Sequence, residues 1–269
     1  MRSDLKILIT NDDGYASKGV RELADIMRHY GSVTVIAPRS HQSGMSVAVS
    51  IGNRILPYKR LGEMDGVSWA WLDATPASCV KFALDKVYPD RKCDVVVCGI
   101  NHGSNASVAT NYSGTMGAAE EAAINGIPGI GVSLCEYVED ADFSKVREFF
   151  PAIFERLMDN LPERKGISYN VNFPPSDVEI KGVRVCHEGL GFWTEELEPF
   201  TGEDPVPDRE DGVSLFHMRG HFVDSSPSED READHHALED GYISITPQTT
   251  DRTDFTEKGR LSSIMNSDF

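Results

Sequence analysis

The first 38 residues alternate between a strand pattern and a helix pattern, and this constrains the fold more than any other feature of the chain. Residues 5–10 (LKILIT) are a short apolar run, typical of a central parallel strand. From Ser17, apolar residues recur at helical spacing up to the C-cap Gly31, namely at Val20, Leu23, Ala24, Met27 and Tyr30. Residues 32–37 form a second apolar run, stopped by Pro38. Strand, helix and strand so close together predict a βαβ unit with a right-handed crossover.

The alternation continues along most of the chain. After a β-ribbon at residues 45–72, further strands are predicted at 93–98, 127–134, 167–173, 182–187, 213–222 and 241–247. Helices are predicted at 76–86, 115–125 and 143–160. We therefore predict an α/β fold, with a Rossmann-like parallel sheet flanked by helices in residues 1–190. Residues 191–269 are expected to form an irregular, β-rich C-terminal extension that serves as an oligomerisation arm.

The net charge of −17 argues against a nucleic acid as partner, because the chain has no basic stripe to bind a phosphate backbone. The acidic residues are concentrated in two runs: residues 195–211 hold eight carboxylates and one arginine, and residues 224–240 hold seven carboxylates. Such runs are typical of solvated loops. We interpret the pair His235–His236, inside the second run, as solvated with it.

The sequence predicts a cytoplasmic protein without a membrane partner. Residues 1–4 lead directly into the first strand, and no apolar run is long enough for a signal peptide or a membrane span. The five cysteines are an odd set without a CxxC motif, and four of them lie in apolar stretches. This is the pattern of small core residues in a reducing compartment.

Three polar clusters follow predicted strands, where ligands bind in open parallel sheets. The first is Asn11-Asp12-Asp13-Gly14, whose adjacent carboxylates can both reach one hard cation. Alone, it is equally typical of an Asx-turn that caps a helix. The second, residues 37–44 (APRSHQSG), offers hydroxyls as ligands or phosphate donors, but is also typical of an ordinary polar loop.

The third cluster, residues 99–105 (GINHGSN), contains the amide oxygen of Asn101 and glycines that let backbone N–H groups approach an anion. His102 lies within it, and whether it contacts a substrate stays open. Residues 112–115 (YSGT) follow at the start of a helix, where free N–H groups and the helix dipole favour a phosphate. Carboxylates, a hydroxyl and an amide oxygen together predict an oxygen-only site for Mg²⁺ or Mn²⁺ beside a phosphate site.

These motifs resemble those of the SurE survival-protein family of 5′-nucleotidases. The similar segments are ITNDDGxxxxG, AP-x₄-SG, D-x-TPA-x-CV at residues 73–80, GxNxGxN and YSGT-x-x-AAxE, with two later landmarks at 170–174 and 241–247. The resemblance implies a phosphomonoesterase that converts nucleoside 5′-monophosphates, and in some members 3′-monophosphates or short polyphosphates, to phosphate and the dephosphorylated product.

The resemblance also implies the site residues and the partners. One divalent ion per subunit would be held by Asp12, Asp13, Ser43 and Asn101, with either aspartate as the general base. The phosphate would be held by Ser113, Gly114 and Thr115. The subunits would form homodimers or homotetramers through an exchanged C-terminal arm.

The sequence departs from the family pattern at several positions outside the proposed ligands. Ala74 and Ser78 replace a glycine and an aspartate, while Ser107 and Ala122 stand where glycines are usual. Arg39 and Gln42 also differ in charge from the residues common there. These departures leave open which nucleotide base the protein prefers, but they do not affect the expected reaction.

Three rival functions are weaker. An aspartyl-phosphate phosphatase requires two aspartates separated by one residue (D-x-D), whereas Asp12 and Asp13 are adjacent. A nicotinamide-dependent dehydrogenase would need G-x-G-x-x-G after the first strand, which is absent from this sequence. A non-catalytic nucleotide sensor with the same pocket stays open, and turnover of p-nitrophenyl phosphate with Mn²⁺ would separate it from an enzyme.

Overall fold

A computed structural model describes residues 4–88, 90, 92–200 and 212–265. Thirteen strands are found in this part of the chain: β1 Leu5–Thr10, β2 Gly31–Pro38, β3 Tyr58–Met64, β4 Val67–Leu72, β5 Val95–His102, β6 Gly129–Leu134, β7 Ile167–Phe173, β8 Gly182–Val185, β9 Gly191–Thr194, β10 Leu197–Pro199, β11 Phe216–Met218, β12 His221–Asp224 and β13 Tyr242–Thr249. The α-helices are α1 Lys18–Met27, α2 Pro76–Lys86, α3 Gly114–Ile124, α4 Ser144–Asp159, α5 Asp234–Glu239 and α6 Phe255–Met265.

Nine strands form one mixed sheet in the order β3-β4-β2-β1-β5-β6-β7-β13-β8. Its centre, from β4 to β7, is parallel, as the buried apolar runs of the sequence predict. Antiparallel pairs occur where β3 joins β4 and where β13 joins β7. The predicted Rossmann-like α/β sheet flanked by helices is thus confirmed.

The helices cover both faces of the sheet, and two apolar clusters fill the space between. One cluster packs α1 and α4 on β1, β2, β5, β6 and β7, around Leu23, Phe150 and Phe154. The other packs α2 and α3 on the opposite face, around Leu72, Val80 and Met116. The carboxyl ends of the central parallel strands therefore lie side by side at one end of the sheet, and the helices on both faces hold them in position.

The C-terminal third returns to this sheet rather than standing apart from it. Residues 191–199 and 216–224 contain two small ribbons, β10 with β11 and β12 with β9. β13 then pairs with β7 over six residues, and its Ile243 and Ile245 are buried in the main core. Part of the acidic run at 195–211 lies outside the described residues, so its predicted loop stays a prediction there.

Three predictions from the sequence were wrong. The β-ribbon predicted at residues 45–72 is shorter, because residues 45–57 contain no strand and β3 begins at Tyr58. The strand predicted at residues 213–222 is divided, because Arg219 and Gly220 separate β11 from β12. His235 and His236 are not solvated: they lie in the first turn of α5, and the His236 residue is 4% exposed. Charge density predicted a loop there, but the apolar Ala237 and Leu238 bury this short helix.

None of the described helices combines the length and apolar character needed to cross a membrane.

Candidate active site

Residues 11–14, directly after β1, form a turn built by the Asn11 side chain. Its Nδ2 donates to the Gly14 carbonyl oxygen at 3.0 Å and to Ser17 Oγ at 2.8 Å, while Gly14 N–H donates to Asn11 Oδ1 at 3.2 Å. Gly14 has a φ of 98°, a conformation that side chains disfavour. The Asn11 side chain thus makes the hydrogen bonds that stabilise the turn, and the Asp12 and Asp13 side chains remain free for other contacts.

Asp12 is a buried carboxylate held against the start of α3. Its Oδ1 accepts a hydrogen bond from the Thr115 hydroxyl at 2.6 Å, and the residue is 3% exposed. Burial raises its pKa to about 6; the Thr115 hydrogen bond opposes this rise, and the charge of Asp13 adds to it. A Cβ on Gly114 would lie 2.8 Å from the Asp12 Cβ, so only glycine allows the helix to approach this closely.

Asp13 is oriented by two histidines. His102 Nδ1 lies 3.0 Å from Asp13 Oδ2, and the His102 backbone N–H donates to the same oxygen at 3.4 Å. His41 Nδ1 lies 3.6 Å from Asp13 Oδ1. The His102 ring is fixed in turn by an edge contact with Phe143, whose ring centroid is 5.2 Å away. The sequence placed both histidines in the polar clusters but gave no signal that they meet Asp13.

Asn101 lies at the end of β5, where the pairing with β6 shifts register between Gly99 and Asn101. Such an irregularity re-aims the side chains of a strand. The Asn101 Nδ2 donates to the Gly103 carbonyl oxygen at 2.9 Å, which leaves the amide oxygen as the atom that can serve a cation. Asn101 is 8% exposed, so this orientation is held within the protein.

The start of α3 supplies hydrogen-bond donors. Ser113 is the N-cap, and its Oγ accepts from the Met116 N–H at 3.1 Å. Its hydroxyl hydrogen therefore remains available to a phosphoryl oxygen. The Thr115 side chain is fully buried and committed to Asp12, so its possible phosphate contact would come from the backbone.

These groups surround one cavity of about 660 Å³. Five of the seven predicted site residues line it: Asp12, Asp13, Ser43, Asn101 and Ser113. Ser43 is exposed in the loop after β2, and Gly114 and Thr115 lie behind Asp12. Also lining the cavity are His41, His102, Lys18 and Tyr112. A nucleotide-sized ligand fits a cavity of this volume.

The donor set fits a hard divalent cation. Asp12, Asp13, Ser43 and Asn101 offer only oxygen atoms, which Mg²⁺ and Mn²⁺ prefer. The two adjacent carboxylates repel each other, as the effect of Asp13 on the Asp12 pKa shows. A cation held by both would offset this repulsion and the cost of burying Asp12.

Comparison with known proteins gives a consistent result. The family model described as "Survival protein SurE" matches residues 7–195. The chain is 42% identical to the 5′-nucleotidase SurE of Cytophaga hutchinsonii over 95% of both chains. It is 34% identical to the 5′-nucleotidase SurE of a Thermoanaerobacter species over 98% of both. The crystal structure of the SurE protein from Aquifex aeolicus superimposes with a TM-score of 0.76, at 27% identity over 96% of this chain and 98% of that one.

Proposed function

The chain belongs to the survival protein SurE family, and from this premise we propose that it hydrolyses nucleoside 5′-monophosphates at the Asp12–Asp13 cavity. It is an enzyme of the 5′-nucleotidase class, a metal-dependent phosphoric monoester hydrolase. The observation that carries the proposal is the convergence of Asp12, Asp13, Ser43, Asn101 and Ser113 on one cavity. An anionic substrate can bind there despite the net charge of −17, because a cation and helix N–H groups act locally.

We propose Asp12, Asp13, Ser43 and Asn101 as ligands of one Mg²⁺ or Mn²⁺ ion per subunit. Such an ion supplies Lewis acidity: it neutralises charge on the phosphoryl group and lowers the pKa of a bound water. Asp12 is kept in place by Thr115, and Asp13 by His102. Because these contacts preorganise both carboxylates, little rearrangement is needed when substrate arrives.

The phosphoryl group is proposed to lie against the start of α3. The Ser113 hydroxyl and the backbone N–H groups of Gly114 and Thr115 are its donors, since the first-turn N–H groups of a helix lack intrahelical acceptors. One of the two aspartates takes the proton of the attacking water. Both aspartates line the cavity, and each has one oxygen engaged by a neighbour, Asp12 by Thr115 and Asp13 by His102.

The finer assignments are parts of the same proposal. The substrates include nucleoside 3′-monophosphates and short polyphosphate besides 5′-monophosphates, and the enzyme is cytoplasmic. Residues 1–190 form the catalytic core, and residues 191–269 act as an arm that joins subunits into a homodimer or homotetramer. Exposed apolar side chains along that arm support the arrangement, among them Phe192, Leu197, Phe216 and Phe255.

Phosphate release from a substrate panel tests the function. Nucleoside 5′-monophosphates should be hydrolysed with Mg²⁺ or Mn²⁺, and 3′-monophosphates, tripolyphosphate and p-nitrophenyl phosphate show how far the cavity tolerates other leaving groups. Asp13→Asn serves as the inactive control. Tight nucleotide binding without phosphate release from any of these compounds would instead identify a nucleotide sensor.

A further inference from the structure

A second cluster of metal-ligating side chains lies away from the cavity, in the C-terminal third. Asp224 ends β12, and His235 and His236 begin α5. One ligand atom from each of the three residues can be chosen so that all lie within 4.8 Å of one another. Asp224 Oδ1 is 3.0 Å from His235 Nε2, and Asp224 Oδ2 is 2.7 Å from His236 Nε2. The carboxylate thus faces both imidazoles at once.

The hydrogen bonding of His236 fixes which of its nitrogens faces the cluster. Its Nδ1 lies 2.7 Å from the backbone carbonyl oxygen of Asp230, which can only accept, so Nδ1 carries a hydrogen. At 2.7 Å from Asp224 Oδ2, Nε2 donates a second hydrogen bond to this carboxylate, and loss of that hydrogen would give a cation a lone pair already aimed at the cluster. A carbonyl that holds the far nitrogen in this way is the usual support of a metal-bound histidine.

His235 lies between two carboxylates. Its ring nitrogens are buried and meet no described residue at good hydrogen-bond geometry, although Nε2 lies 3.0 Å from Asp224 Oδ1 and Nδ1 lies 3.6 Å from Asp234 Oδ1. The His235 side chain is 12% exposed, so water cannot freely satisfy it. Buried polar atoms without well-formed hydrogen bonds are rare in folded proteins, and an ion bound at the site is one explanation for them.

We propose that Asp224, His235 and His236 bind one divalent transition-metal ion, for which Zn²⁺ is the best-fitting class. Two imidazoles and one carboxylate are a mixed nitrogen and oxygen set, which suits Zn²⁺, unlike the oxygen-only set at Asp12 and Asp13. Water completes the coordination on the side where Asp224 is 37% exposed. The site is independent of the proposed phosphatase ion in both position and ligand chemistry.

The ion would add a further link between two segments of the chain. Asp224 belongs to the β9–β12 ribbon, whereas the histidines belong to α5. The neighbouring Asp234 is fully buried and accepts hydrogen bonds from the backbone N–H groups of Ser107 and Gly189. A metal at this site therefore clamps the ribbon to the helix that supports the segment leading into Ser113.

Zinc binding by the full chain tests the proposal. Metal-stripped protein in excess Mg²⁺, which occupies the oxygen site, is titrated with Zn²⁺ against a chromophoric chelator at pH 7.5. We expect one Zn²⁺ per chain. His236→Gln and Asp224→Asn should each weaken binding by at least about 100-fold. His221→Gln, an exposed histidine on the same strand as Asp224, is the matched control and should bind like the wild type.

Two further measurements keep the result decisive if His236→Gln folds poorly. Asp224 is at the surface, so Asp224→Asn should fold, and an anomalous difference map of zinc-soaked wild-type crystals should show a peak between the three side chains. Asp12→Asn should keep this zinc while losing phosphatase activity. The proposal is overturned if no Zn²⁺ binds, or if the bound Zn²⁺ is lost in Asp12→Asn and kept in Asp224→Asn.

Discussion

At the scale of single residues, the candidate site contains one carboxylate, Asp12, that the fold holds in unfavourable surroundings. Asp12 is buried beside Asp13, and a single hydroxyl, that of Thr115, contacts its Oδ1. The sequence predicted these aspartates and Asn101, because polar residues after apolar strands mark the ligand-binding edge of a parallel sheet. It could not predict the pairing of His102 with Asp13, which depends on how β5 and β1 lie side by side.

Substitutions at three residues should rank by charge and ligand role. Asp12→Asn removes a charge that is proposed to bind the cation and should lower kcat by roughly 10²–10⁴. Asn101→Ala removes a proposed neutral ligand and should mainly weaken the affinity for Mn²⁺. His102→Ala keeps Asp13 but removes a contact that orients it, so kcat should fall by no more than about tenfold. Steady-state kinetics over a Mn²⁺ series measures all three, and the opposite order would point to a histidine-centred mechanism.

The raised pKa of Asp12 predicts how stability depends on pH. Because the pKa is about 6 in the folded protein and 3.8 in the reference state, the folded form binds the proton more tightly. Proton binding by Asp12 therefore stabilises the folded, metal-free protein. This stabilisation is fully present below pH 3.8 and is lost as pH rises through about 6. At pH 7.5, Asp12→Asn should therefore stabilise the metal-free protein, by on the order of 1–3 kcal/mol.

Thermal unfolding with and without Mn²⁺ measures this effect. The wild type should gain more from Mn²⁺ at pH 7.5 than at pH 5, because the metal requires the ionised carboxylate. Asp12→Asn should lose most of that gain. Equal stabilisation by Mn²⁺ at both pH values would show that Asp12 does not titrate in this range.

At the scale of elements, α3 connects the core to the site. Its N-terminus contacts Asp12, while Gly117 lets the loop after β2 approach, since a Cβ there would lie 1.9 Å from the Ser46 carbonyl oxygen. The sequence predicted α2 and α3 to within a residue, because Pro76 and Ser113 are strong start signals. It missed α5 and α6, which lie in polar segments where periodicity is weak.

Gly117→Ala should displace the loop that carries Ser43. The added methyl group collides with backbone, so we expect a loss of about 1–3 kcal/mol in stability and weaker Mn²⁺ binding. Gly259→Ala in α6 is the control, because a Cβ there meets nothing within 4 Å and should be neutral or stabilising. Chemical denaturation and Mn²⁺ titration of both variants check the prediction; equal behaviour would mean that the loop does not depend on α3.

At the scale of the whole molecule, the sequence predicted the parallel centre of the sheet but not the strand pairings that extend the sheet beyond β7. Alternating strands and helices imply parallel neighbours, whereas the antiparallel return of β13 beside β7 depends on long-range pairing that local patterns do not encode. Exposed apolar side chains of the C-terminal third, such as Phe192 and Phe255, are the surface that the proposed arm would bury against another copy.

The C-terminal helix should mediate self-association. α6 has no buried residue, and its Phe255 and Leu261 are 67% and 44% exposed. Light scattering should show a dimer or tetramer of the 29.7 kDa chain, and Phe255→Glu with Leu261→Glu should shift it towards monomer. Lys258→Glu changes charge on the same helix without removing apolar surface, so it should not. A wild-type monomer at micromolar concentration would contradict the proposed arm.

Metal dependence of nucleotide hydrolysis tests the central claim most directly. The full-length protein is stripped with EDTA, and phosphate release from adenosine 5′-monophosphate is measured before and after adding Mg²⁺, Mn²⁺ or Zn²⁺. We expect no turnover in the stripped enzyme, because the proposed mechanism requires a bound cation. Mg²⁺ or Mn²⁺ should restore activity better than Zn²⁺, because Asp12, Asp13, Ser43 and Asn101 offer only oxygen ligands. Full activity in protein shown to be free of metal would contradict the account.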